Sequence, residues 1–265
     1  MDKKLAEKLW TARWAINAGK KKESLEAVTA ALVHIGAEPA SSLPAEKEPD
    51  RPSSPPPAPL KGITEPEFVI VKGVKFPDRG PYQTPSKTFE GLTVHYTVSG
   101  RTAASARAVV GWLAQQGYGC MVMDEDGKIY IPDGFDVIRE WGHHAGVSKW
   151  KNRSSVSKYF AGMEVCCWGL NSKTGPYREA KKGDGYVVPG KYQTYTEAQE
   201  KALTNFILWA RSINPAFKLE NVVGHDELRV EAGKRGDKQD PGASLSMTMP
   251  AYREHLAKLE KDLKK

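Results

Sequence analysis

Between residues 37 and 60 the chain reads AEPASSLPAEKEPDRPSSPPPAPL, and this stretch constrains everything on either side of it. Proline fixes φ and has no backbone donor, so a run this rich in proline, serine and charge stays solvated and semi-rigid and joins no core. It divides the chain into a short segment, 1–36, a linker over 37–62 and a body over 63–265. In the short segment Leu5, Leu9 and Ile16, then Leu25, Val28, Leu32 and Ile35, recur at near-helical spacing on either side of NAGKKK. That pattern predicts a two-helix hairpin. Below about 40 residues a core rarely stands alone. The hairpin is therefore expected to pack on something: a second copy, the body, or a target surface.

The body has the texture of a globular domain. FVIVKGV and GLTVHYTV read as β-branched strands, and GCMVMDEDGKIYIP as two strands across an Asp-Gly turn. AGMEVCCWG reads as another strand, and LENVVGHDEL as a last strand ending in His225. Between them lie helices: TAASARAVVGWLAQQ with Thr102 as N-cap, and TEAQEKALTNFILWARSI with Thr196 and Gln199 as a capping box. Strands alternating with helices predict an α/β fold, a mixed central β-sheet flanked by helices. A final amphipathic stretch, PAYREHLAKLEKDLKK, sets Leu256, Leu259 and Leu263 on one face among lysines. Such a helix suits either a cap on the domain or weak contact with an anionic outer membrane.

Charge and cysteine narrow the partners. The 39 Lys and Arg against 32 Asp and Glu leave a net charge of +7, which favours an anionic partner. No nucleic-acid module is recognisable, so no nucleic-acid partner is expected. No run of about 18 apolar residues is present, so no membrane span is expected. MDKKLAEKLWTARW is broken by charges every few residues and lacks the apolar core of a signal peptide. The three cysteines, Cys120, Cys166 and Cys167, read as reduced core residues.

Three side chains carry the chemistry best. His95 in TVHYT, His225 in VVGHDE and Asp240 in KQDPG stand at strand ends or in loops. Two imidazoles and a carboxylate leave a fourth tetrahedral position open, the pattern of a catalytic rather than a structural zinc site. Zinc lowers the pKa of a water in that position toward about 7. Pro241 biases Asp240 toward an extended backbone and Gly242 lets the chain turn away. Each residue alone has an ordinary reading as a core histidine, a strand end or a turn. Spacing does not bring them together.

Taken in order, TVHYT, HHAGVS, AGMEV, VVGHDE and KQDPG resemble the type 2 N-acetylmuramoyl-L-alanine amidases, over roughly 90–250. That family shares the fold of the peptidoglycan-recognition proteins and includes phage endolysins and the cytosolic amidase of wall recycling. The resemblance implies that His95, His225 and Asp240 bind Zn²⁺, that Lys238 stabilises the oxyanion, and that Glu164 is the general base. It implies a groove position for His144, preferred to the adjacent His143 because HAGVS aligns better. Tyr96 is either groove wall or core. Members with a cysteine ligand tend to have a tyrosine before the Asp-Gly turn. Here that position falls near Gly119, one residue from Tyr118, which shifts the expectation toward Glu164.

The resemblance implies a zinc hydrolase of bacterial peptidoglycan that cleaves the amide between N-acetylmuramic acid and L-alanine. Within the family, the appendage on a proline-rich linker and the missing signal peptide fit a phage endolysin, made in the host cytoplasm and acting on the wall after release. A recycling amidase and a non-catalytic recognition protein are the alternatives. The second commonly lacks the third ligand, which here is present as Asp240.

Overall fold

The computed structural model describes residues 62–76, 88–118 and 121–265. The expected hairpin over 1–36, the linker as far as residue 61, and Cys120 lie outside the described residues. Among the described residues the body has ten strands: β1 (Phe68–Lys75), β2 (Gly91–Tyr96), β3 (Met121–Met123), β4 (Ile129–Asp133), β5 (Lys149–Trp150), β6 (Arg153–Ser154), β7 (Phe160–Val165), β8 (Tyr177–Ala180), β9 (Gly190–Gln193) and β10 (Val222–Gly224). Six of them form one sheet in the order β1-β4-β3-β7-β2-β10. Only the pair β3–β4, joined across the Asp-Gly turn, is antiparallel in this sheet. This is the mixed sheet flanked by helices that the sequence predicts.

β2 is buried at all six positions, as a strand covered on both faces should be. Period-two alternation then sorts its residues. Leu92, Val94 and Tyr96, with Ala161, Met163 and Val165 of β7, enter the larger core. Helices α2 (Glu197–Ile213) and α4 (Met249–Leu263) cover that side through Leu203, Phe206, Met249, Tyr252 and Leu256. The opposite face meets α1 (Ala103–Gln115), whose Ala106, Val110 and Leu113 pack on Val71, Val122 and Tyr130. Cys166 and Cys167 go to these two different cores and are not bridged to one another. Thr93 and His95 of β2 and Gly162 and Glu164 of β7 have the parity of the α1 side.

The helix starts follow their caps. The Thr102 hydroxyl accepts from the Ser105 amide, and Thr196 and Gln199 form a reciprocal capping box. One local expectation is corrected. The last strand ends at Gly224, and His225 opens a short helix, α3 (His225–Glu231). The Glu227 carboxylate accepts the Gly224 amide at 3.0 Å, and Asp226 and Glu227 favour the positive end of the helix, so HDEL winds where alternation alone suggested a strand end. In the basic segment after β7, β8 and β9 pair as an antiparallel hairpin.

The leucine face of the C-terminal helix is turned inward. Leu256 is buried, and Leu259 and Leu263 pack against the larger core, so the helix caps the domain. No helix among the described residues is long and apolar enough to cross a membrane.

Candidate metal centre and its groove

β2 and β10 are parallel neighbours, and their C-terminal ends deliver His95 and, one residue beyond the strand, His225. The loop from α3 then returns Asp240 to them. It is fastened by the Asp226 amide on the Asp240 carbonyl at 2.9 Å and by the Gly242 amide on the Asp226 carboxylate at 3.2 Å. Oδ2 of Asp240 lies 2.7 Å from Nδ1 of His95 and 3.1 Å from Nδ1 of His225. All three residues are buried. The buried Tyr195 hydroxyl donates to the His95 carbonyl at 2.9 Å and holds the strand end.

The donor set suits a metal ion. One ligand atom from each of the three lies within 4.8 Å of the other two. Ligands about 2.0–2.2 Å from a tetrahedral zinc would stand roughly 3.3–3.5 Å apart, and the carboxylate–imidazole separations here, 2.7 and 3.1 Å, are shorter than that, at hydrogen-bond length. Burial pushes the His95 pKa down, against the pull of the Asp240 carboxylate, which would accept from a protonated ring, and so favours the unprotonated ring that a metal needs. Burial by itself would raise the pKa of Asp240, but the two histidines hold the carboxyl well below its ordinary range. Nε2 of His225 is buried without a hydrogen-bond partner.

A hollow of about 290 Å³ opens over this cluster. Glu164 and Lys238 line it, as do Trp112 and Tyr118. Glu164 is the register partner of His95, and its pKa is raised well above the ordinary value, first by burial and then by the Asp240 charge, with Lys238 opposing. Lys238 is exposed at the mouth, on a loop braced by the Arg229–Asp237 ion pair.

The expected groove residues divide. His144 comes to 3.0 Å from His95 through Nδ1, whereas His143 packs near Tyr118. Burial also lowers the His144 pKa well below its ordinary value. Tyr96 belongs mainly to the larger core, where its ring lies over Gly169, and it borders the hollow only as part of the wall. Sequence reasoning missed Trp112, 55% exposed beside the hollow. The signal available was its place off the Ala106–Val110–Leu113 stripe of α1. Tyr118, discounted because it stands one residue out of register, also lines the hollow.

A buried carboxylate and two imidazoles, with an acid and a cation over them in a groove, have the parts needed to polarise and hydrolyse an acyl bond. The chain belongs to the N-acetylmuramoyl-L-alanine amidase family, whose sequence profile matches residues 85–243. A search of curated proteins finds no match. Among solved structures the chain is similar to AmpD, at 20% identity and a TM-score of 0.43, covering 74% of this chain and 97% of that one. It is similar to the endolysin LysCS from Clostridium intestinale, an N-acetylmuramoyl-L-alanine amidase, at 16% identity and a TM-score of 0.44, covering 75% and 98%. It is also similar to AmpDh3 from Pseudomonas aeruginosa, at 20% identity and a TM-score of 0.41, covering 70% of this chain and 65% of AmpDh3.

Proposed function

We propose that this chain hydrolyses the amide between N-acetylmuramic acid and L-alanine in bacterial peptidoglycan, with Zn²⁺ held by His95, His225 and Asp240. The observation that carries the reading is the convergence of these three buried donors beneath a hollow lined by Glu164 and Lys238. A zinc ion there supplies a Lewis acid and lowers the pKa of water toward about 7. Glu164 takes a proton from the attacking water and hands it to the departing L-alanine nitrogen. Its raised pKa suits a group that must hold that proton between the two transfers. Lys238 sets a cation beside the carbonyl oxygen as negative charge develops on it. The Arg229–Asp237 pair keeps that loop in place.

Within this activity we assign the chain to a lytic enzyme of phage type that meets the wall after release from the host cytoplasm. Support comes from the proline-rich stretch, which separates a candidate wall-gripping or oligomerising segment (1–36) from the catalytic body (63–265). The net charge of +7 suits an insoluble anionic wall.

The test is a soluble muramyl peptide incubated with zinc-loaded protein and with Glu164→Gln, the products being identified by mass. Free muramic acid and free peptide from the first but not the second support the assignment. An intact substrate bound by both would favour a recognition protein.

A further inference from the structure

Beside His95, on the wall of the same hollow, stands a second histidine, His144, whose two ring nitrogens are both engaged. Nε2 of His144 is 2.8 Å from the Phe160 carbonyl oxygen, and Nδ1 is 3.0 Å from Nε2 of His95. The two imidazoles meet edge to face, 81° apart. We propose that His144 is a positioning residue for the metal centre: it fixes, through a relay from the Phe160 carbonyl, which nitrogen of His95 is offered to the metal. This rests on the zinc reading given above.

The argument needs only donor and acceptor identities. A carbonyl oxygen can only accept, so Nε2 of His144 is the nitrogen that carries hydrogen. An imidazole with one proton placed there presents a lone pair at Nδ1. That lone pair accepts from Nε2–H of His95, so a neutral His95 turns a bare Nδ1 toward the Asp240 carboxylate 2.7 Å away, a pairing of two acceptors that a cation between them would relieve. Nδ1 is thereby selected as the donor, and the ring cannot turn without breaking the bond behind it.

The surroundings show that His144 is built into place. The Ser157 hydroxyl oxygen accepts the amides of both His144 and Ala145, at 3.2 and 2.9 Å. Nε1 of Trp141 donates to the Ser157 carbonyl at 2.8 Å. Gly162 of β7 leaves the space for the ring, because a Cβ there would lie 3.0 Å from Cγ of His144. With both nitrogens committed inside the protein, His144 has no free ring donor for a ligand in the groove.

The test measures zinc affinity by competition with a chromophoric chelator for wild type, His144→Ala and Gly162→Ala. The second variant keeps the imidazole but crowds it. Thermal unfolding of each metal-free protein checks that it is folded. The relay predicts zinc binding about 10- to 100-fold weaker in both variants, the usual effect of losing a partner of a ligating histidine. It also predicts ¹⁵N shifts that show hydrogen on Nε2, not Nδ1, of His95 in the zinc-loaded wild type. Unchanged zinc affinity in a folded His144→Ala, with only the KM for muramyl peptide raised, would overturn the relay and make His144 a substrate contact. Hydrogen on Nδ1 of His95 would overturn it as well. A wild type that binds no zinc would instead overturn the zinc reading, and the relay with it.

Discussion

His95 and Glu164 are register partners on the parallel strands β2 and β7, so their side chains leave the same face of the sheet side by side. This places an acid next to a candidate metal ligand without any loop having to close. Glu164→Gln keeps the shape and removes the proton carrier. It should lower kcat on muramyl peptide about 100- to 10,000-fold. Zinc content, measured by atomic absorption, should match that of the wild type.

The same site makes a prediction about stability and pH. Burial raises the pKa of Glu164 above 4.5, the ordinary value that the unfolded chain retains. The folded state therefore holds the proton to higher pH than the unfolded state does. Metal-free wild type should lose stability as pH rises from about 4.5 toward the folded value. Glu164→Gln lacks this loss. In urea titrations without zinc the variant should be the more stable protein at neutral pH, with the difference closing as pH falls toward 4.5.

Arg253 ties the C-terminal helix to the metal site. It makes two bonds to the Glu227 carboxylate, at 2.8 and 2.9 Å, and Glu227 caps the turn that presents His225. Arg253→Ala would strand a buried carboxylate, so it should cost about 3–5 kcal/mol. Zinc affinity should fall with stability. Deleting residues 250–265 removes Arg253 together with Tyr252 and Leu256 of the core. The deletion should unfold the body rather than merely weaken attack on cells from outside, which circular dichroism of the truncated protein would show.

Trp112 tests the groove. It is more than half exposed, so Trp112→Ala should change stability by less than about 0.5 kcal/mol. The KM for muramyl peptide should rise while zinc binding is unaltered. Gly169→Ala is the opposite kind of change. At φ +66, a Cβ would meet the Tyr96 ring at 2.3 Å. A loss of about 2 kcal/mol or more is expected by chemical denaturation, since neither backbone nor ring can give way.

Much of this fold is legible in the sequence because its signals are local. Alternation marks β2 and β7, the Asp-Gly turn marks β3–β4, and Thr102, Thr196 and Gln199 announce their helices. The convergence of His95, His225 and Asp240 is not local, since 130 positions separate the two histidines. Only the ordered set of five motifs pointed to it. What stayed hidden depends on contacts made by residues with commonplace roles. Ser157, the Phe160 carbonyl and the bare face of Gly162 hold His144 against His95, and none of them has a sequence signature. The start of α3 at His225 was misread because Glu227 caps backward onto Gly224, against the alternation that precedes it.

The central claim is a zinc-dependent amidase acting on the wall. The most direct measurement is the chemistry released from purified sacculi by zinc-loaded protein, by protein treated with EDTA, and by His225→Ala. The account predicts new amino termini without new reducing sugar ends, abolished both by EDTA and by the substitution. New reducing ends, or release that survives EDTA, would contradict it.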